Sequence, residues 1–223
     1  MNSKAKTISF LALYASFIVA GHVFIDPLPP DSPVRTYVKI PFYLITGVIA
    51  IIFFWGDIKE GFGEWRKHPI KSVLFLAGLF VANIIASNLA SIPGNLIYGD
   101  AETMNDANIQ GTMNLVHPAL IIIVMGILGP MVEETVFRII MIRKWSSRIP
   151  VALCIIISSV LFMLIHVHSF TAQELIMNLD KLATGILYGI TVALTRNVTI
   201  PCASHIINNT LGLSLMIIAS AVH

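Results

Sequence analysis

Residues 118–142 read PALIIIVMGILGPMVEETVFRIIMI, an apolar run that is interrupted by Glu133, Glu134 and Arg138. A transmembrane helix needs about 20 mainly apolar residues, so this run is long enough to cross a membrane. Ionisable side chains inside such a run are costly, by at least ~2.5 kcal/mol each on insertion scales, and they persist where they are paired or functional. The stretch therefore predicts a membrane-spanning helix that carries part of a functional site.

The remainder of the chain has the composition of a membrane protein. Of its 223 residues, 56% are hydrophobic and 12% are charged, whereas a soluble domain carries roughly 25% charged residues. The net charge of +2 is small and the charges are scattered, which argues against a nucleic-acid partner. We predict an all-α, polytopic transmembrane bundle in contact with membrane lipid in a cell membrane. Residues 1–223 would form a single integral membrane domain, with the motif-bearing core at about 118–221.

Seven apolar stretches are candidate spans. They are roughly Ile8–Ile25, Tyr37–Trp55, Ser72–Ile92, Pro118–Ile142, Val151–His166, Leu182–Thr195 and Pro201–Ala221. We interpret the first as a helix rather than a cleaved signal, because no convincing small-x-small cleavage site follows it. The sixth is short and contains Gly185 and Gly189, which predicts a tilted helix or close packing against a neighbour.

Basic residues lie mostly on one side of these predicted spans. That side has Lys4, Lys6, Lys59, Arg66, Lys67, Lys71, Arg143, Lys144, Arg148 and Arg196, and the other has only Arg35, Lys39 and Lys181. Cytoplasmic loops are enriched in Lys and Arg. We therefore expect a cytoplasmic N-terminus and a C-terminus on the opposite side of the membrane.

One basic stretch, Gly56–Lys71, also contains the aromatic residues Phe62 and Trp65. Two interpretations of this stretch stay open. It lies on the membrane surface and binds anionic lipid, or it is a basic loop with an aromatic anchor at the interface.

Helix geometry separates the two acids of the charged run. Residues i and i+4 share a helix face, so Glu134 can pair with Arg138. Glu133 lies about 100° around the helix from Glu134 and has Phe137 at its own i+4 position. Either both acids share Arg138 and stabilise the bundle, or Glu133 uses a partner on another helix or in water.

Two later spans carry polar residues of their own. The fifth ends with Phe162 and, four residues later, His166, whereas His168 is expected at the interface. The seventh contains His205 and Asn209, which are four residues apart and share a helix face. Each set alone is compatible with a core role or with hydrogen bonds between helices.

The three sets together favour hydrolysis of an amide bond. A carboxylate and a histidine can bind a water molecule and deprotonate it as a general base. A second histidine and an amide can donate hydrogen bonds to a developing oxyanion. Spacing alone does not exclude Asn208, three residues after His205, as that amide.

The motifs resemble those of a known family. Glu133-Glu134-x-x-x-Arg138, Phe162-x-x-x-His166 and His205-x-x-x-Asn209 are similar to the three ordered motifs of the CAAX-protease and bacteriocin-processing (CPBP, or Abi) family. The similarity covers roughly Gly129 to Leu211, and the N-terminal spans carry no matching signature. It implies an intramembrane endopeptidase with a helical bundle around a cavity that is open to the cytoplasm. Eukaryotic members remove the last three residues of prenylated CAAX proteins, and bacterial members are linked to bacteriocin self-immunity and peptide maturation.

The resemblance also implies a role for each residue. Glu133 and His166 would activate water, and His205 and Asn209 would form the oxyanion hole. Glu134, Arg138 and Phe162 would support them. The expected activity is that of a CPBP-type intramembrane glutamate endopeptidase, with water as nucleophile, no metal, and a membrane-associated protein or peptide as substrate.

Three alternatives stay open. Glu133, His166 and His205 could bind zinc as the three protein ligands of a catalytic site, although no compact zinc signature is present. The protein could be a non-catalytic immunity or scaffold protein that binds a partner in the membrane. It could also be a transporter, which the lack of a detectable inverted repeat disfavours.

Overall fold

The computed structural model describes residues 2–99 and 101–222, and all regular secondary structure in those ranges is helical. This confirms the predicted all-α helical bundle. The chain divides into two compact units. The first unit comprises residues 1–55, 106–132 and 205–223, and the second comprises residues 56–105 and 133–204.

The helices follow the predicted apolar stretches, with shorter helices between them. They are α1 (Ser3–Ala20, extended by the π-helix Gly21–Ile25), α2 (Pro33–Lys67), α3 (Pro69–Tyr98), α4 (Met104–Met113), α5 (Pro118–Ser147), α6 (Val151–Leu164), α7 (Ala172–Met177), α8 (Leu179–Thr195) and α9 (Thr199–Val222). Helix α2 is longer than the predicted span, because it is kinked at Phe54 (φ −112°, ψ 17°) and a second helical part follows through the basic stretch after Trp55.

Five of these helices are long and apolar enough to cross a membrane: α1 with its extension, α2, α3, α5 and α9. Helix α6 is apolar but has 14 residues, and α8 has 17 residues. Both are shorter than the ~20 residues that a simple crossing needs. The structure therefore supports a membrane protein, while the count of seven spans and the cytoplasmic N-terminus stay predictions.

Helix α5 changes its hydrogen-bond pattern along its length. It begins with an α-helical turn, continues as the π-helix Ile122–Leu128, returns to α-helix over Gly129–Glu134, and becomes π-helical again over Thr135–Lys144. Pro130, which has no backbone N–H to donate, lies where the first π segment gives way to α-helix. Turns of π-helix are rare in proteins, and those that occur are often found at functional sites. Glu133 and Glu134 are the last two residues of the α-helical segment between the π segments.

In the first unit, a buried arginine closes the connection between α1 and α2. The guanidinium of Arg35 is completely buried and donates to the carbonyl oxygens of Asp26 at 3.0 Å and Leu28 at 2.5 Å. The carboxylate of Asp26 lies 2.6 Å from Nδ1 of His22, four residues earlier. The sequence identified Arg35 only as a loop charge. In the structure it satisfies backbone carbonyls that follow the end of a helix and would otherwise lack partners.

In the second unit, α8 packs closely against α6 and α5 through its two glycines. A Cβ atom at Gly185 would lie 2.9 Å from the Cα atom of Ser159. A Cβ atom at Gly189 would lie 3.1 Å from side-chain carbons of Ile142 and Ile155. Small residues allow helix backbones to approach in this way, and the close packing predicted for this segment is confirmed.

Candidate active site

The first motif contains the ion pair that the sequence predicts. Nε of Arg138 lies 3.4 Å from Oε2 of Glu134, and both side chains are almost completely buried. A buried charge is costly to desolvate unless an opposite charge is placed beside it. Within α5, Arg138 is therefore the partner of Glu134.

Three aromatic rings surround the guanidinium of Arg138. Its Cζ atom lies 4.6 Å from the ring centroid of Phe162, 5.6 Å from that of Tyr188 and 6.0 Å from that of Phe137. A guanidinium within about 6 Å of a ring face is attracted by the negative potential of the ring. Because Phe162 is on α6 and Tyr188 is on α8, Arg138 joins three helices of the second unit.

Glu133 is also buried, with 8% of its surface exposed. It stands about 100° around the helix from Glu134, so the two carboxylates leave α5 in different directions. Phe137, at the i+4 position from Glu133, makes an edge-to-face contact with Phe162 at 5.4 Å between ring centroids. Phe162 of the second motif therefore packs against the turn of α5 that follows both acids, through Phe137 and Arg138.

The second motif fixes the orientation of His166. Nδ1 of His166 lies 2.8 Å from the carbonyl oxygen of Phe162, and the ring packs edge-to-face against the Phe162 ring at 5.0 Å. A carbonyl oxygen only accepts hydrogen bonds, so Nδ1 must carry the proton in this contact. In the neutral imidazole the lone pair is then on Nε2, so this atom can accept a proton.

Phe162 joins the first motif to the second. Its ring contacts Phe137, Arg138 and His166. One turn earlier on α6, the hydroxyl of Ser158 donates to the carbonyl oxygen of Phe137 at 2.8 Å. Helices α5 and α6 are therefore neighbours. His168, expected at the interface, is partly buried.

The third motif lies on α9, in the first unit. His205 is buried, and Asn209 is half-buried, with Nδ2 donating to the carbonyl oxygen of Met125 at 3.4 Å. Asn208 is exposed, so burial separates the two asparagines that spacing does not. An amide nitrogen carries two hydrogens. One hydrogen of Asn209 can hold the side chain against α5 while the other is available for a ligand.

The structure places the seven predicted site residues in two groups. Glu133, Glu134, Arg138, Phe162 and His166 belong to the second unit, and His205 and Asn209 belong to the first. In the second unit the contacts run from Glu134 through Arg138 and Phe162 to His166. In the zinc alternative, Nε2 of His166 would be a ligand, because a metal-binding histidine uses one ring nitrogen while the other is hydrogen-bonded.

Motif spacing did not identify Tyr188 and Ser204. Tyr188 is completely buried, and its hydroxyl donates to Oγ of Ser204 at 3.0 Å. Ser204 directly precedes His205, so this bond fixes the turn of α9 in which the third motif begins. The available signal was a tyrosine hydroxyl between Gly185 and Gly189 in an apolar span, since a buried hydroxyl needs a partner.

Comparison with protein families gives a match for the part of the chain that carries all three motifs. The matching family is named Rce1-like and is described as type II CAAX prenyl endopeptidase Rce1-like. The match covers residues 115–211. Neither the curated proteins nor the solved structures give a match. The three-motif resemblance is thereby confirmed. Residues 115–211, which carry all three motifs, are thus similar to a family of CAAX-type endopeptidases.

Proposed function

We propose that the protein is an intramembrane endopeptidase that hydrolyses a peptide bond of a membrane-associated protein or peptide with a water molecule activated by Glu133 and His166. The observation that carries this proposal is the hydrogen bond from Nδ1 of His166 to the carbonyl oxygen of Phe162. It leaves Nε2 as the proton acceptor inside a region that matches a CAAX endopeptidase family.

In this reaction the carboxylate of Glu133 and Nε2 of His166 bind one water molecule and remove a proton from it. The hydroxide attacks the carbonyl carbon of the scissile bond and forms a tetrahedral intermediate. The carbon–nitrogen bond then breaks, and the abstracted proton passes to the leaving amine. The Glu134–Arg138 pair and the Phe162 ring support the geometry of this step, because they pack against both motifs.

His205 and Asn209 are the proposed donors to the oxyanion of the intermediate. They stand four residues apart on one face of α9, so both can point to the same oxygen. Removal of one such donor typically lowers the rate by about 100- to 1000-fold. Burial of His205 supports this role, because hydrogen bonds to a developing charge are stronger where water is excluded.

The substrate that this family suggests is a protein that ends in a CAAX sequence whose cysteine is prenylated. Peptide maturation and bacteriocin immunity are further roles for the same hydrolysis. A protein embedded in a cell membrane by several spans would meet substrates that are themselves held at the membrane. No metal is needed for the proposed chemistry, since the general base and the oxyanion donors are side chains.

The first prediction tests the water-activating pair. Purified wild type, Glu133→Ala and His166→Ala would be compared on a farnesylated CAAX peptide and on its unprenylated form. We expect both variants to lose at least ~100-fold in kcat, because general-base catalysis contributes about 10²- to 10⁴-fold. His168→Ala is the matched control, since it removes a histidine two residues away, and it should keep near wild-type activity. Normal cleavage by purified Glu133→Ala would exclude the mechanism.

Two further measurements separate the alternatives. Glu133→Gln is nearly isosteric, so a protein that only binds a partner should keep its function in cells, whereas a peptidase should lose it. Exhaustive chelation should leave the proposed activity intact, whereas a zinc enzyme would lose activity and regain it with added metal. Comparative peptidomics of cells with wild type and with Glu133→Ala would identify the released fragments, and hence whether the substrate is a CAAX protein.

A further inference from the structure

The C-terminal part of α2, residues Gly56–Lys67, has two different faces, and we call it the amphipathic segment. Helix α2 has 35 residues and is kinked at Phe54, directly before this segment, whereas about 20 residues cross the hydrocarbon core. The polar end of the helix therefore extends past the apolar part, into the region where lipid headgroups lie.

One face of this segment contacts other helices of the second unit, and the residues of this face are four apart. Asp57 forms ion pairs with Arg143 at 3.5 Å and Lys144 at 3.3 Å. Nε1 of Trp65 donates to the hydroxyl of Thr199 at 2.9 Å. Gly61 lies between them, and a Cβ atom there would lie 2.5 Å from Cγ2 of Thr199. The positions 57, 61 and 65 thus form a docked face that has no room for lipid.

A second face, defined by Lys59, Phe62 and Arg66, is exposed, and we call it the basic stripe. Its residues are spaced i, i+3 and i+7, so they line up along the helix roughly 130° from the docked face. The Phe62 side chain is 52% exposed between the two cations. An aromatic ring and long basic side chains on one exposed face are typical of the membrane interface.

The acids of the segment do not neutralise this stripe. Asp57 and Glu60 pair with Arg143, and Glu64 pairs with Lys67 at 2.8 Å. In residues 2–99 and 101–222, the side chains of Lys59 and Arg66 form no ion pair. The acidic groups are thus directed to partners within the protein, and the two cations of the stripe face outward.

We propose that the basic stripe binds anionic phospholipid, with Lys59 and Arg66 on the phosphate groups and the Phe62 ring at the boundary with the acyl chains. The source of the lipid is the membrane in which the protein is embedded. Each Lys or Arg near an anionic surface contributes about 1 kcal/mol, which corresponds to a fivefold change in affinity. This corresponds to the first of the two interpretations of the basic stretch, in which it lies on the membrane surface and binds anionic lipid. It does not depend on the peptidase activity.

The test is a titration of the full-length protein in neutral detergent with phosphatidylglycerol and, separately, with phosphatidylcholine, followed by native mass spectrometry. Arg66→Gln should bind phosphatidylglycerol about fivefold more weakly, and Lys59→Gln with Arg66→Gln about 25-fold more weakly. Lys67→Gln is the matched control, because it removes the same charge from the adjacent residue, which is paired with Glu64. It should bind both lipids as wild type does.

Other outcomes are equally informative. Phe62→Ser should weaken the binding of phosphatidylglycerol and of phosphatidylcholine to a similar degree, since the ring does not recognise charge. Binding of phosphatidylglycerol by wild type should weaken as salt is raised. Equal loss in Arg66→Gln and Lys67→Gln, or no preference of wild type for phosphatidylglycerol, would overturn the proposal. Tighter binding of an acidic peptide than of the lipid would also overturn it and assign the stripe to a polypeptide partner.

Discussion

Helices α3 and α5 have the same length and similar hydropathy, but their surroundings differ. Each spans 30 residues, yet 11% of the most apolar window is buried in α3 and 61% is buried in α5. In α3 large apolar residues such as Leu74 and Leu96 are exposed, as expected of a helix that faces lipid. Hydropathy therefore identifies helices that can enter a membrane, and burial identifies the one that is enclosed by protein.

The difference explains why charges are tolerated on α5. Lipid offers no hydrogen bond or counter-charge to a side chain, whereas protein neighbours offer both. Arg138 is completely buried, contacts Glu134, and lies against rings of α6 and α8. Polar residues of α5 therefore depend on specific protein partners. Removing one partner should cost more than any substitution at a lipid-facing position.

The largest effect on stability is expected for Arg138→Ala. This substitution leaves Glu134 buried without its counter-charge, and the loss of one member of a buried pair typically costs about 3–5 kcal/mol. We expect low abundance and a correspondingly lower free energy of unfolding, measured by dodecyl sulfate titration in mixed micelles. Leu96→Ala on α3 is the control for an exposed position and should cost far less.

A double variant sharpens this result. Glu134→Leu with Arg138→Met replaces both charges by apolar side chains of similar size, and such replacements are often nearly neutral. It should therefore be more stable than Arg138→Ala. Normal abundance and stability of Arg138→Ala combined with loss of activity would instead assign Arg138 to the chemistry.

The next prediction extends the comparison to single residues of α9. By its most apolar window this helix resembles α3, with 17% buried, yet it carries the third motif. Asn209 is half-buried against α5, and Asn208 is exposed. We expect Asn209→Ala to lower kcat by about 100- to 1000-fold with measurable residual activity. Asn208→Ala should have near wild-type rates in the same peptide assay. Equal effects of the two substitutions would show that local burial does not select the oxyanion donor.

The fold and the contacts of the first two motifs could be predicted to different depths from the sequence. Apolar runs predicted the helices, because a bilayer demands long apolar segments. The i, i+4 rule predicted the Glu134–Arg138 pair and places Phe162 beside His166, because both relations depend only on helix geometry. Such local relations are set by spacing alone.

Other features could not be predicted, because they depend on which helices become neighbours. The carbonyl partner of His166 lies in the last turn of α6, and an apolar pattern alone does not fix the residue at which that helix ends. Arg35 was counted as a loop charge, because spacing does not show that its guanidinium folds back onto Asp26 and Leu28. The Tyr188–Ser204 bond joins separate helices and has no motif spacing.

The smallest effect is expected for Tyr188→Phe, which keeps the ring beside Arg138 and removes only the hydroxyl. That hydroxyl donates to Ser204 at 3.0 Å in a buried site, and a typical hydrogen bond contributes about 1 kcal/mol to stability. We expect a loss of this size in the free energy of unfolding. Thr191→Val is the control, because the Thr191 hydroxyl donates to the carbonyl oxygen of Leu187 within its own helix. It should be close to neutral.

A double-mutant cycle of Tyr188→Phe with Ser204→Ala then measures the bond itself. If the two hydroxyls act together, the double variant should lose about 1 kcal/mol less than the sum of the single variants. Because Ser204 precedes His205, kcat should fall several-fold in each single variant, while KM stays constant. Strict additivity of the stability losses, together with unchanged kcat, would mean that the bond between α8 and α9 contributes neither to the stability of the protein nor to the position of the third motif.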